Sequence, residues 1–177
     1  MFTVEEKKLG VRSESLGGKA RFSASSLPRN RQRLWRYGPL IVWAALIFIG
    51  SSNVLSASNT STLVRVVRWL IPTAGDERLA LFHFLIRKAG HLTEYGILAL
   101  LAARAFRTSA RELLRTRWFW AALILVVVYS LTDEFHQTFV PSRTGSVYDS
   151  MIDSAGGLIA LTILWWRRKK SESRVVA

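Results

Sequence analysis

Four apolar stretches, each bounded by Lys and Arg, set most of what this chain can fold into. They occupy residues 37–55, 89–106, 118–140 and 151–166, each near the ~20 residues that carry a helix across ~30 Å of hydrocarbon. A hydrophobic content of 50% beside a net charge of +13 in 177 residues suits such alternation better than it suits a soluble domain. A soluble helical bundle is the competing reading, because two of the stretches are short for a span. The aromatic residues argue against it: Trp35, Tyr37, Trp69, Trp118, Trp120, Trp165 and Trp166 stand at stretch ends, where amphipathic rings favour the headgroup layer.

The basic residues also orient the chain. Nine Lys and Arg precede the first stretch, five lie within 104–117 and five within 167–174; the two other connections share the remaining six of 25. Lys and Arg next to a span are retained on the cytoplasmic side, so both termini are expected in the cytoplasm. That topology leaves seven of the twelve carboxylates and all three histidines at or near the outer side. The surplus charge thus reports topology first and attraction to anionic lipid second. A nucleic-acid partner is not expected, since the basic residues flank spans and form no folded patch.

The expected organisation is a disordered basic cytoplasmic segment over 1–36, a transmembrane domain over 37–167 and a basic tail over 168–177. No cleavable leader is expected, because about 36 polar residues precede the first apolar run. With no cysteine, disulfides and thiolate chemistry are excluded. Between the first two spans, Leu63, Val66, Val67, Leu70 and Ile71 recur at helical spacing opposite Arg65 and Arg68, the pattern of a short interfacial helix ending before Pro72. Gly75 permits a turn, and Asp76 is expected to cap a further helix over 77–87 leading into the second span. The fold class is therefore all-α: an integral membrane four-helix bundle with an interfacial helix between its first and second spans.

Ionisable groups gather at the outer edge of this arrangement. Lys88, His91 and Tyr95 are spaced i, i+3, i+7 and share one helix face, with Glu94 about 60° from His91. Asp133 and Gln137 stack at i, i+4, with His136 about 60° round and Glu134 beside them. Arg143, in a short loop, has the planar fork that reads phosphate or carboxylate. Asp149 and Asp153 share a face at the start of the last span, one turn above Gly156 and Gly157, which let another helix approach closely. Ser51, Ser52 and Asn53 at the end of the first span either complete the site or, as the favoured reading, cap that helix or hydrogen-bond between spans.

These runs, Lys88-Ala89-Gly90-His91 with Glu94-Tyr95, Asp133-Glu134-Phe135-His136-Gln137, Pro141-Ser142-Arg143 and the segment from Asp149 to the Gly156-Gly157 pair, resemble the VanZ-like family of bacterial membrane proteins over about residues 38–166. Asp153 departs from the pattern, many relatives having an amide there. The founding member is associated with low-level resistance to teicoplanin, so the resemblance implies a bacterial plasma-membrane protein acting outside, where lipid-linked wall precursors lie. Three functions compete: binding or remodelling of an envelope lipid or lipid-linked wall intermediate; hydrolysis or transfer at a lipid headgroup; and a polar network that only fixes helix register. No cofactor is expected, although the mixed His and carboxylate groups would suit a divalent metal such as zinc or manganese. Neither oligomeric state nor a catalytic residue follows from the sequence.

Overall fold

A computed structural model describes residues 28–52, 69, 75–141 and 145–176. Arg143 falls outside these residues, as does, Trp69 apart, the interfacial helix expected around 63–71. All regular structure among the described residues is helical: α1 (Arg29–Ser51), α2 (Asp76–Arg107), α3 (Glu112–Thr116), α4 (Trp118–Gln137) and α5 (Val147–Val176).

The boundaries follow local chemistry. α1 begins ahead of the apolar stretch, at Arg29, and holds Pro39 within it, where the missing N–H forfeits one bond to the preceding turn. α2 is one continuous 32-residue helix. The helix expected over 77–87 runs into the second span without a break, because nothing near Arg87 interrupts a helix; Arg, Lys and Ala are good helix formers. Gly75, with extended backbone, takes the cap position expected of Asp76, and no side chain caps the helix. Asp76 and Glu77 instead occupy the first turn, where negative charge meets the positive end of the helix dipole. α5 likewise continues past Trp166 into the basic tail.

Among the described residues, three helices are long and apolar enough to cross a membrane: residues 30–51 of α1, α4, and 147–174 of α5. Their polarity is inside out. On α4, Trp120, Ile124, Val128, Leu131 and Phe135 form an exposed stripe, whereas Ala122, Val126, Ser130, Asp133 and Gln137 are buried. The two stripes repeat the same spacing two residues, or about 200°, apart. Phe135 is 66% exposed and Asp133 1%, the reverse of the usual soluble arrangement and the one required when the surroundings are hydrocarbon.

α2 packs against α1, α4 and α5, and its Leu98, Ala99, Ala102, Ala103 and Phe106 contribute to the core with Leu40, Ile47, Val126 and Leu161. At one end the Tyr37 hydroxyl pairs with Ser109 Oγ at 3.0 Å, joining the start of α1 to the residues just after α2. At the other end Ser51 Oγ donates to Asp133 at 2.6 Å. α1 and α2 are therefore antiparallel, with α2 extending between both ends. The Trp43 Nε1–H to Glu94 carbonyl bond, 2.9 Å, and the Tyr129 hydroxyl to Ala44 carbonyl bond, 2.5 Å, hold α1 to α2 and α4 between those ends.

Gly156 makes the α2–α5 approach possible. A Cβ there would collide with the backbone of Leu92, and one on Gly157 would lie 2.7 Å from Val126 Cγ1. Removing a side chain where backbones meet is how membrane helices pack closely without a hydrophobic driving force.

Candidate functional site: a buried carboxylate cluster

The ends of α1 and α4, the beginning of α5 and the 88–95 segment of α2 converge at one end of the molecule. Asp133 is the hub. Its Oδ2 accepts from Ser51 Oγ at 2.6 Å, Gln137 Nε2 at 3.1 Å and the Tyr95 hydroxyl at 3.2 Å, so one oxygen ties three helices. Its Oδ1 is buried with no hydrogen-bond partner among the described residues. The i, i+4 spacing of Asp133 and Gln137 accounts for one bond; the other two come from tertiary packing.

Asp153 lies across the interior, 1% exposed, with Oδ1 3.4 Å from His91 Nδ1. Neither carboxylate oxygen has a hydrogen-bond partner among the described residues, nor has His91 Nδ1, so His91 and Asp153 face one another as a loose pair. Nearer the mouth, Asp149 pairs with Lys88 and lies 3.7 Å from Arg87. Lys88 Nζ also stands 5.3 Å from the Phe84 ring centroid, a cation–π distance.

Glu134 anchors the start of α5. Its Oε2 accepts the Ser146 backbone N–H at 2.8 Å, while buried Oε1 has no partner among the described residues. Gly145 permits this turn, since a Cβ there would collide with the Glu134 carbonyl and the Thr138 side chain. His136 stacks on Phe48, ring centroids 4.3 Å apart, with Nε2 buried.

The cluster brings together Lys88, His91, Tyr95, Asp133, Glu134, Gln137, Asp149 and Asp153. His136 borders it against α1. Glu94 is exposed on α2, and its backbone carbonyl accepts the Trp43 Nε1–H of α1. Sequence reasoning missed Arg87 and a serine cluster, in which Ser130 Oγ is 2.8 Å from Ser150 Oγ and 3.2 Å from Ser154 Oγ. The signal was present, because Ser150 and Ser154 repeat the i, i+4 spacing of Asp149 and Asp153 one residue on. Ser51 makes the inter-span hydrogen bond that was one of its readings, and because its acceptor is Asp133 that bond also ties it to the cluster. Among the described residues no group of three or more His, Asp or Glu side chains is arranged to hold a metal ion.

Ionisable groups inside an apolar helical assembly, with acceptors left over after internal pairing, define a membrane protein whose interior polar site lies at one end. The model of the VanZ/LLP1 family matches residues 37–168, most of the chain. The chain belongs to that family. No curated protein and no solved structure matches it.

Proposed function

We propose that the chain is a four-span protein of a bacterial plasma membrane, with cytoplasmic termini, whose acidic end opens outward and binds or remodels an envelope lipid or lipid-linked wall intermediate. α2 serves as the fourth span. Its polar groups weaken its hydropathy, but Tyr95 and Leu98 meet protein and not lipid, and residues 89–106 cover about 26 Å at 1.5 Å per residue, close to the hydrocarbon thickness.

The observation that carries the reading is the combination of spare carboxylate acceptors at Asp133 and Asp153 with cations at the mouth, Lys88 and Arg87. Cations there suit the phosphates of a lipid headgroup, and the inner acceptors suit sugar or peptide donors attached to it. Arg143, in the adjoining connection, would add a bidentate phosphate contact. The family association with teicoplanin fits this location, because that antibiotic meets lipid-linked precursors outside the membrane.

The test compares teicoplanin and vancomycin susceptibility in a sensitive Gram-positive host carrying the parent chain or Asp133→Asn at matched membrane abundance. The parent is expected to protect selectively against teicoplanin and the variant to lose that protection; equal susceptibility with and without the parent chain contradicts a glycopeptide-related role.

The His91–Asp153 pair favours a second reading, a hydrolase or transferase at a lipid headgroup, with His91 taking a proton and Asp153 orienting the ring. A labelled lipid-linked precursor incubated with the purified chain discriminates the two: binding leaves the headgroup attached, whereas the enzyme releases or transfers it in a manner lost in His91→Gln.

A further inference from the structure

At the opposite, basic end lies a cavity of about 440 Å³ between the start of α1 and the segment leading into α3. Arg33, Arg36, Tyr37, Ser109, Arg111 and Leu114 line it. Arg33 and Arg36 are spaced i, i+3 and so project from neighbouring positions on α1. Ser109 is 4% exposed and forms a fixed floor: its Oγ pairs with the Tyr37 hydroxyl at 3.0 Å and accepts the Arg111 backbone N–H at 3.1 Å. That last bond fixes the Arg111 backbone beside the Tyr37–Ser109 pair.

Three arginines are thus among the residues that line one cavity, and no carboxylate residue is among them. Among the described residues the ion pairs of the chain involve other side chains. Like charges held around a cavity repel one another, and an anion seated between them turns that repulsion into attraction. Planar guanidinium forks match a tetrahedral phosphate, taking two oxygens at a time. Leu34 and Trp35, both exposed beside the cavity on α1, would put it at headgroup depth with apolar surface available for chains below it. Basic pockets between spans on the positively charged side are suited to anionic headgroups.

We propose that this cavity is a phosphate-binding site, formed by Arg33, Arg36 and Arg111 over the Tyr37–Ser109 floor, that holds the phosphodiester of an anionic phospholipid. It does not depend on the acidic cluster, which lies at the other end. Purified full-length chain is exchanged into mixtures of phosphatidylglycerol and phosphatidylcholine, and retained lipid is read by native mass spectrometry; inorganic phosphate is titrated calorimetrically in a parallel arm. The parent should retain phosphatidylglycerol preferentially. Arg36→Gln/Arg111→Gln should lower that retention about tenfold, as expected for losing two solvent-accessible ionic contacts, while Arg168→Gln/Arg174→Gln, which removes the same charge from α5, leaves it unchanged. Inorganic phosphate bound by the parent and lost in the same cavity variant, without phosphatidylglycerol preference, supports the phosphate site and assigns it a soluble source. Equal loss in cavity and control variants, or no binding of either probe by the parent, overturns the proposal. If the Gln variant does not fold, Arg36→Lys/Arg111→Lys keeps the charge and removes the forks: retention severalfold below the parent supports the site, and parent-like retention overturns it.

Discussion

Asp133 shows how much of the molecule rests on one atom. Three donors from three helices meet its Oδ2, and each is in the interior, where an unmatched donor costs about 1–3 kcal/mol. Asp133→Ala should therefore destabilise the fold by about 3 kcal/mol or more, since three groups lose their acceptor at once. Ser51→Ala removes one donor and leaves two in place, so its cost should be about 1 kcal/mol, in the range of inter-helix hydrogen bonds in membranes. Reversible denaturation in mixed detergent micelles measures both; equal costs for the two variants would show that Asp133 is not the hub. The residues of this cluster were legible in the sequence because charged groups inside apolar stretches are few. Their partners were not: that Lys88 meets Asp149 depends on the axial register of α2 against α5, which helical spacing within either element does not determine.

That register is set at the scale of the elements by Gly156. Its hydrogen faces the Leu92 backbone, so α5 approaches α2 as closely there as two backbones allow. Gly156→Val should force the helices apart or out of register and cost about 1–3 kcal/mol, the range for overpacking an interior. It should also separate His91 from Asp153, because Leu92 and Gly156 adjoin those residues on α2 and α5. Gly90→Ala is the matched control, as a Cβ at Gly90 meets nothing within 4 Å and the substitution favours the helix. The same denaturation assay should show Gly156→Val unfolding early and Gly90→Ala no less stable than the parent. The importance of the glycine pair was readable from its place one turn below the carboxylates. The continuity of α2 was an open possibility only, since an apolar stretch beginning at Ala89 says where hydrocarbon could start but not whether the helix over 77–87 carries on into it. α4 was the most legible element: its exposed and buried stripes follow directly from apolar and polar residues on opposite faces of a single 3.6-residue period.

For the whole molecule, the two ends carry opposite chemistry, and the membrane gives that difference a direction. Nineteen of 25 basic residues belong to the first segment, the 104–117 connection and the tail. The structure places Tyr37 of α1 beside Ser109 of the connection, so two of these three basic segments meet at one end, while Ser51 and Asp133 meet at the other. If all four long helices span, an even number of crossings puts both termini on one side, and the basic bias makes that side cytoplasmic. The chain has no cysteine, which allows single reporters without a background. Gly75→Cys lies ahead of α2, where a side chain meets no neighbour, and Ser173→Cys lies near the exposed end of α5. A membrane-impermeant maleimide should label Gly75→Cys on intact cells and Ser173→Cys only after the cells are opened. Labelling of both on intact cells, or of neither, would mean an even number of crossings between the two positions and, with α4 and α5 both spanning, would remove α2 from the spans. The acidic cluster would lose its outward exposure with it, so the same two reporters test whether the carboxylates lie where envelope lipids can reach them.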